Sequence, residues 1–122
     1  MHNLLEVKRT WPGGEWSWDS RFAAVASSFG TAIEAKARES AGFALPLIFT
    51  SQTIAAAPPA LQALATKSGG LRAGQLLLAS HPDAGVTAFG LWWPWGSGTT
   101  VTLRIGLDGG PGDALKTLFG VK

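Results

Sequence analysis

Between Gln75 and Leu107 the chain alternates apolar, β-branched and aromatic runs with short turn-forming clusters: QLLLAS, HPDAG, VTAFGLWWPW, GSG, TTVTLRIGL. That pattern predicts a three-stranded antiparallel meander. The remaining segments read as material that extends or covers this sheet. In LLEVKRT, Leu4 to Thr10, Leu5 and Val7 alternate with Glu6 and Lys8, which predicts a half-buried strand. Pro12-Gly13-Gly14 is a turn signal, and in the EWSW that follows Trp16 and Trp18 would share one strand face. Together these segments read as an N-terminal hairpin.

Asp19 is placed to cap a long Ala-rich helix reaching Ala41. Phe22, Val25, Ala26, Phe29 and Ile33 would form its apolar stripe, with Gly30 a point where it can split and Gly42 its terminator. Leu47, Ile48 and Phe49 predict a short strand after Pro46. Pro58-Pro59 opens a second helix with Leu61, Leu64 and Ala65 inward. Asp113 can cap a last helix, ALKTLF, that packs Leu115, Leu118 and Phe119. The expected fold class is α+β. It is a single-domain sandwich over residues 1–122, in which two or three helices cover a mainly antiparallel sheet built from the N-terminal hairpin and the C-terminal meander.

Composition narrows the function classes. With 46% hydrophobic and 15% charged residues in 122, the chain can bury a core without staples and is not disordered. No apolar run approaches the ~20 residues of a membrane span, and MHNLLEVKRT lacks the build of a secretory signal, so a cytoplasmic protein is expected. The abundance of Ala and Gly suits a GC-rich bacterial genome. The net charge is only +2 and the basic residues form no stripe, which argues against nucleic acid as a partner. The absence of cysteine and the presence of two isolated histidines argue against a metal or other cofactor.

Catalytic chemistry finds little support. Ser80-His81-Pro82-Asp83 holds the letters of a triad, but triad members converge from separate elements, and SHPDAG reads as a turn. Gly109-Gly110-Pro111-Gly112-Asp113 precedes a helix but lacks the lysine and hydroxyl of a phosphate loop. Glu6 and Glu15 could face each other across the N-terminal hairpin, with no sign of environments that separate their pKa values.

The tryptophans remain, in two blocks: Trp11, Trp16 and Trp18, then Trp92, Trp93 and Trp95. Along a strand Trp93 and Trp95 share one face and Trp92 takes the other. Trp11, Trp16, Trp92, Trp93 and Trp95 are the candidates for a partner-binding surface, with the two blocks adjacent in space. Trp18 is the expected core ring. The leading expectation is a non-enzymatic protein-interaction or adaptor domain with a protein partner, whether a second copy or a larger complex. The alternative is a small-molecule-binding domain or small α+β enzyme. Its apolar aromatic pocket would lie between helix and sheet, with His81 and Arg104 as inward polar groups.

Overall fold

The structure, a computed structural model, describes residues 2–121. Helix α1 (His2–Thr10) is followed by strands β1 (Ser17–Asp19) and β2 (Ala24–Gly30). A 3-10 turn (Thr31–Ile33) leads into α2 (Glu34–Gly42) and then β3 (Leu47–Phe49). A second 3-10 turn (Ile54–Ala56) precedes α3 (Pro59–Lys67), and β4 (Leu76–Ala79), β5 (Thr87–Pro94), β6 (Thr100–Asp108) and α4 (Ala114–Phe119) complete the chain. All six strands join one antiparallel sheet in the order β1-β2-β6-β5-β4-β3. The fold is a single α+β domain with an N-terminal hairpin and a C-terminal meander.

Alternation along the strands sorts side chains between two cores. Val25 and Phe29 of β2, Leu78 of β4, Trp92 of β5, and Val101, Leu103 and Ile105 of β6 share one face. Leu4 and Val7 of α1, Ala37 and Ala41 of α2, and Leu115 and Phe119 of α4 cover it. On the other face Leu77, Ala79, Phe89 and Leu91 meet Ala57 and, from α3, Leu61 and Ala65. Small residues let these layers close up. A Cβ on Gly106 would come within 2.5 Å of the Phe89 ring on the neighbouring strand, so the tip of the ring sits over bare backbone.

Two expected elements are corrected. Residues 4–10 form a helix, not a strand. Leu4 and Val7, three apart, are both buried, while Leu5 is exposed, which is helical spacing. The helix is fastened through its C-terminal half. Lys8 donates to the Leu118 carbonyl, the Thr10 and Ser40 hydroxyls share a bond, and the Ser40 hydroxyl donates to the Val7 carbonyl.

The long helix expected from Asp19 to Ala41 is instead a hairpin followed by a short helix. Residues 24–30 are a strand, and helix begins only at Glu34. The stripe of Phe22, Val25, Ala26, Phe29 and Ile33 does not exist as a helical face. Val25 and Phe29 lie in one core, and Phe22 packs on the opposite one. The hairpin is therefore β1 with β2, one strand later in sequence than expected: the segment around Trp16 and Trp18, expected as its second strand, leads into its first.

Two substitutions test this packing. Phe29 is 5% exposed and sits between the rings of Trp11 and Trp92, at 5.2 and 5.3 Å. Phe29→Ala should cost about 3–5 kcal/mol in denaturant unfolding, the range for a buried aromatic truncation. Gly106→Ala should cost about 1–3 kcal/mol, because the Phe89 ring must leave its place. Unchanged midpoints would show that these contacts do not hold the sheet.

Candidate functional site

The second sheet face is covered unevenly. α3 and the turn before it pack on the β4–β5 half. The β1–β2–β6 half carries Ser17, Asp19, Ala26, Ser28, Thr102 and Arg104, and a groove of about 460 Å³ lies over it with no helix residue in its lining. Trp95 bounds the groove, and so do Glu15, Ser20 and Arg21.

Arg104 is the centre of this half. It lies beside Ala26 on one strand and Leu91 on the other. Its guanidinium carbon stands 5.1 Å from the Phe22 ring centre and 5.0 Å from that of Trp93, and those rings meet edge to face at 5.8 Å. Such stacking favours a planar cation held away from water. Nε donates to Oδ2 of Asp19 at 3.0 Å, and both side chains of the pair are largely buried.

The β1–β2 turn supplies the carboxylate. Asp19 Oδ1 accepts the Arg21 backbone N–H at 3.1 Å, closing an Asx turn, and the Arg21 side chain adds longer contacts at 3.4 Å. Asp19 thus bonds a nearby backbone N–H as a cap would, but in a turn and not at a helix start. Ala23 closes the turn at φ 49, a left-handed conformation that non-glycine residues seldom adopt. Partial burial pushes the Asp19 carboxyl pKa up. Hydrogen bonds from Arg104 and then from the Arg21 side chain and backbone outweigh that and hold it below the ordinary carboxylate value.

Trp95 stands at the other end of the groove. Its backbone N–H donates to the Thr100 carbonyl, so Pro94, one step earlier, turns its nitrogen away from β6. β4 has already ended on that side, since its pairing with β5 stops at Trp92, and the missing N–H costs no ladder bond. The indole Nε1 donates to the Thr102 hydroxyl at 2.7 Å, and Thr102 shares a 2.8 Å bond with Ser28. The ring is 57% exposed yet fixed in orientation.

The five tryptophan candidates do not converge on one surface. Trp11 and Trp16 are half-buried, 5.0 Å apart, and pack on the helix-covered face, where Trp16 also meets Phe119. Trp92 is a core ring at 1% exposure, which takes it out of any binding surface. It is also more buried than Trp18, the expected core ring, which is half-buried with Lys116 over it. Trp93 and Trp95 lie on the opposite face. The two blocks do approach through Phe29, but inside the core.

His81 and Arg104 do not share a pocket. His81 lines a separate cavity of about 220 Å³ with Asn3, Leu4 and Leu107, beside the β4–β5 connection. That connection is a tight turn in which Asp83 and Val86 exchange backbone bonds and Ala84 and Gly85 both take positive φ. Glu6 bonds Arg9 within α1 and does not face Glu15 across a hairpin. Asp19, Ser28 and Thr102 are the groove residues that sequence reasoning missed as a site. Their signal is the polar alternation of β2 and β6, and the β2 part of it is readable only once 24–30 is a strand.

No family model, curated protein or solved structure matches the chain. No helix is long and apolar enough to cross a membrane among the described residues.

The ion pair makes a pH prediction. Asp19→Ala removes a hydrogen-bonded carboxylate and should lower stability by about 1.5–3 kcal/mol at neutral pH. A carboxyl whose folded pKa is depressed contributes stability above its unfolded pKa and loses it as pH falls through the folded value. The gap between parent and variant in urea midpoint should therefore close in acid below the ordinary carboxylate range. A gap that is unchanged in strong acid would show that the charge contributes nothing.

Proposed function

We propose that this chain is a non-enzymatic protein-interaction domain whose binding surface is the uncovered half of the second sheet face, with Trp95 as its anchor. The observation that carries this reading is the Trp95 ring, 57% exposed and held by the Thr102 hydroxyl over the groove. A large exposed ring ordinarily loses side-chain entropy when a partner fixes it, and a ring already fixed avoids much of that loss. Tryptophan is also the side chain most enriched among residues that dominate interface energy. The groove floor is a broad strand surface of hydroxyls and one clamped arginine, which suits an extended segment better than an enclosed substrate.

A second reading, small-molecule binding, is supported by a different place from the one expected. A groove of about 340 Å³ between the C-terminal half of α3 and the turn at Arg21–Ala23 has the apolar side chains of Phe89 and Leu91 in its floor. It holds Arg21 but neither His81 nor Arg104.

Trp95→Ala separates the readings. The variant should keep its thermal midpoint within a few degrees, lose the tryptophan emission of an exposed ring, and fail to capture partners that the parent co-purifies. Partner capture that survives in a folded variant would remove Trp95 from the interface. Trp92→Ala is the contrast, and it should lose about 3–5 kcal/mol of stability as a core truncation.

A further inference from the structure

We infer that Arg104 is a carboxylate-recognition site, and that the partner segment placed on the groove is extended and carries an acidic side chain beside an apolar one. This inference rests on the interaction reading above and names the chemistry of the partner.

The argument starts from the guanidinium's donors. Arginine offers a rigid planar fork, and here Nε alone is used, by Asp19. Among the described residues neither Nη has a hydrogen-bond partner, and neither is among the polar atoms that are both buried and unsatisfied. Both therefore reach solvent while the carbon and Nε are held. Phe22 and Trp93 pack on the guanidinium, and Asp19 fixes its rotation in the plane. What remains open is the edge that bonds a carboxylate with two parallel N–H donors. Rotational freedom, the usual loss when arginine binds an anion, has already been given up in the fold. Arg21, largely exposed and next to the same aspartate, adds a second positive charge at this end.

The second element of the motif is spacing. Thr102, which holds the Trp95 indole, and Arg104 are two residues apart on β6 and point to the same face. Two residues of strand span about 6.6 Å. An extended segment with the same rise would set an acidic side chain on Arg104 when an apolar side chain, one intervening residue away, lies on Trp95. Glu15 bounds the groove as well. It extends the alternation of Ser17 and Asp19 towards the level of Ser28, the Trp95 end, where a second acid on the partner would meet like charge.

The test uses the whole folded chain and a phage-displayed random-peptide library, in which the peptide C-terminus is fused and carries no free carboxylate. Selected peptides should be enriched in Asp or Glu one residue removed from an aromatic or large aliphatic residue. Arg104→Lys keeps the charge but loses the fork, and should weaken a selected peptide by at least about tenfold in fluorescence anisotropy. A Glu→Gln change in that peptide should weaken binding to the parent similarly and have little further effect on the lysine variant. Circular dichroism melts of each variant confirm that the compared chains are folded, and Arg21→Gln, at an exposed position, should give a smaller loss. A library that yields no binders, binders without acidic enrichment, or binders indifferent to Arg104→Lys overturns the inference. So does binding that inorganic phosphate displaces without any acidic preference. If partner capture depends on Trp95 while selected peptides ignore Arg104, the interaction reading stands and the carboxylate site falls. If neither depends on Trp95, both fall.

Discussion

The fold hangs on the alternation of β6. This strand pairs along most of its length with β5 on one side and with β2 on the other, so its register fixes both halves of the sheet. Val101, Leu103 and Ile105 are fully buried on one face, and Thr102, Arg104 and Gly106 occupy the other. A slip of one residue would drive Arg104 into a closed apolar core and bring three branched side chains to solvent. The cost of burying a charge without partners makes that alternative far less stable than the observed register. The same alternation that specifies the core therefore specifies where the polar groove lies.

An arginine in a central strand has to be accommodated, and the means shape the N-terminal third. Asp19 reaches Arg104 only because β1 lies beyond β2 and the turn at Ser20–Ala23 brings Phe22 over the guanidinium. The carboxylate serves two tasks at once. It closes its own turn through the Arg21 N–H and neutralises a cation that is distant in sequence. A largely buried ion pair seldom adds much net stability over an apolar replacement. The proposed carboxylate site would give this pair a use beyond stability, through the open edge of the guanidinium.

Much of the sheet is legible in the sequence, including the strand around Trp18, whereas the helix at 4–10 and the strand at 24–30 are not, for one physical reason. Val25 and Phe29 are four apart, and four residues return to the same face in a strand as well as nearly so in a helix. The Ala-rich composition favours helix, and the turn that marks the strand ending contains Ala23 at positive φ where glycine is the usual signal. Leu4, Leu5 and Val7 posed the mirror problem. Choosing Leu5 and Val7 as the pattern gave a strand, while Leu4 and Val7 are the pair that is buried. The meander suffered no such ambiguity, because its β-branched and aromatic runs are bounded by turn clusters on both sides. Trp95 and Arg104 could be named as candidates. Their meeting on one surface could not, since it depends on the β5–β6 register that sets the Trp95 indole on the Thr102 hydroxyl, two residues from Arg104.

The division of the tryptophans follows from this geometry. A strand that carries Trp92, Trp93 and Trp95 must put the first on the opposite face from the other two. Trp92 fills the core under α2, where Arg38 caps its ring at 5.4 Å. Trp93 is half-covered, and its Nε1 has no partner among the described residues. Trp95, past the end of β4 and beyond a proline, has no layer above it and keeps its place through one hydroxyl. The three rings grade from core through clamp to open surface over four residues. Stability is concentrated at one end of that series, and the freedom to contact another molecule lies at the other. A change at the surface ring is therefore expected to leave the fold intact, whereas one at the core ring is expected to cost much of its stability.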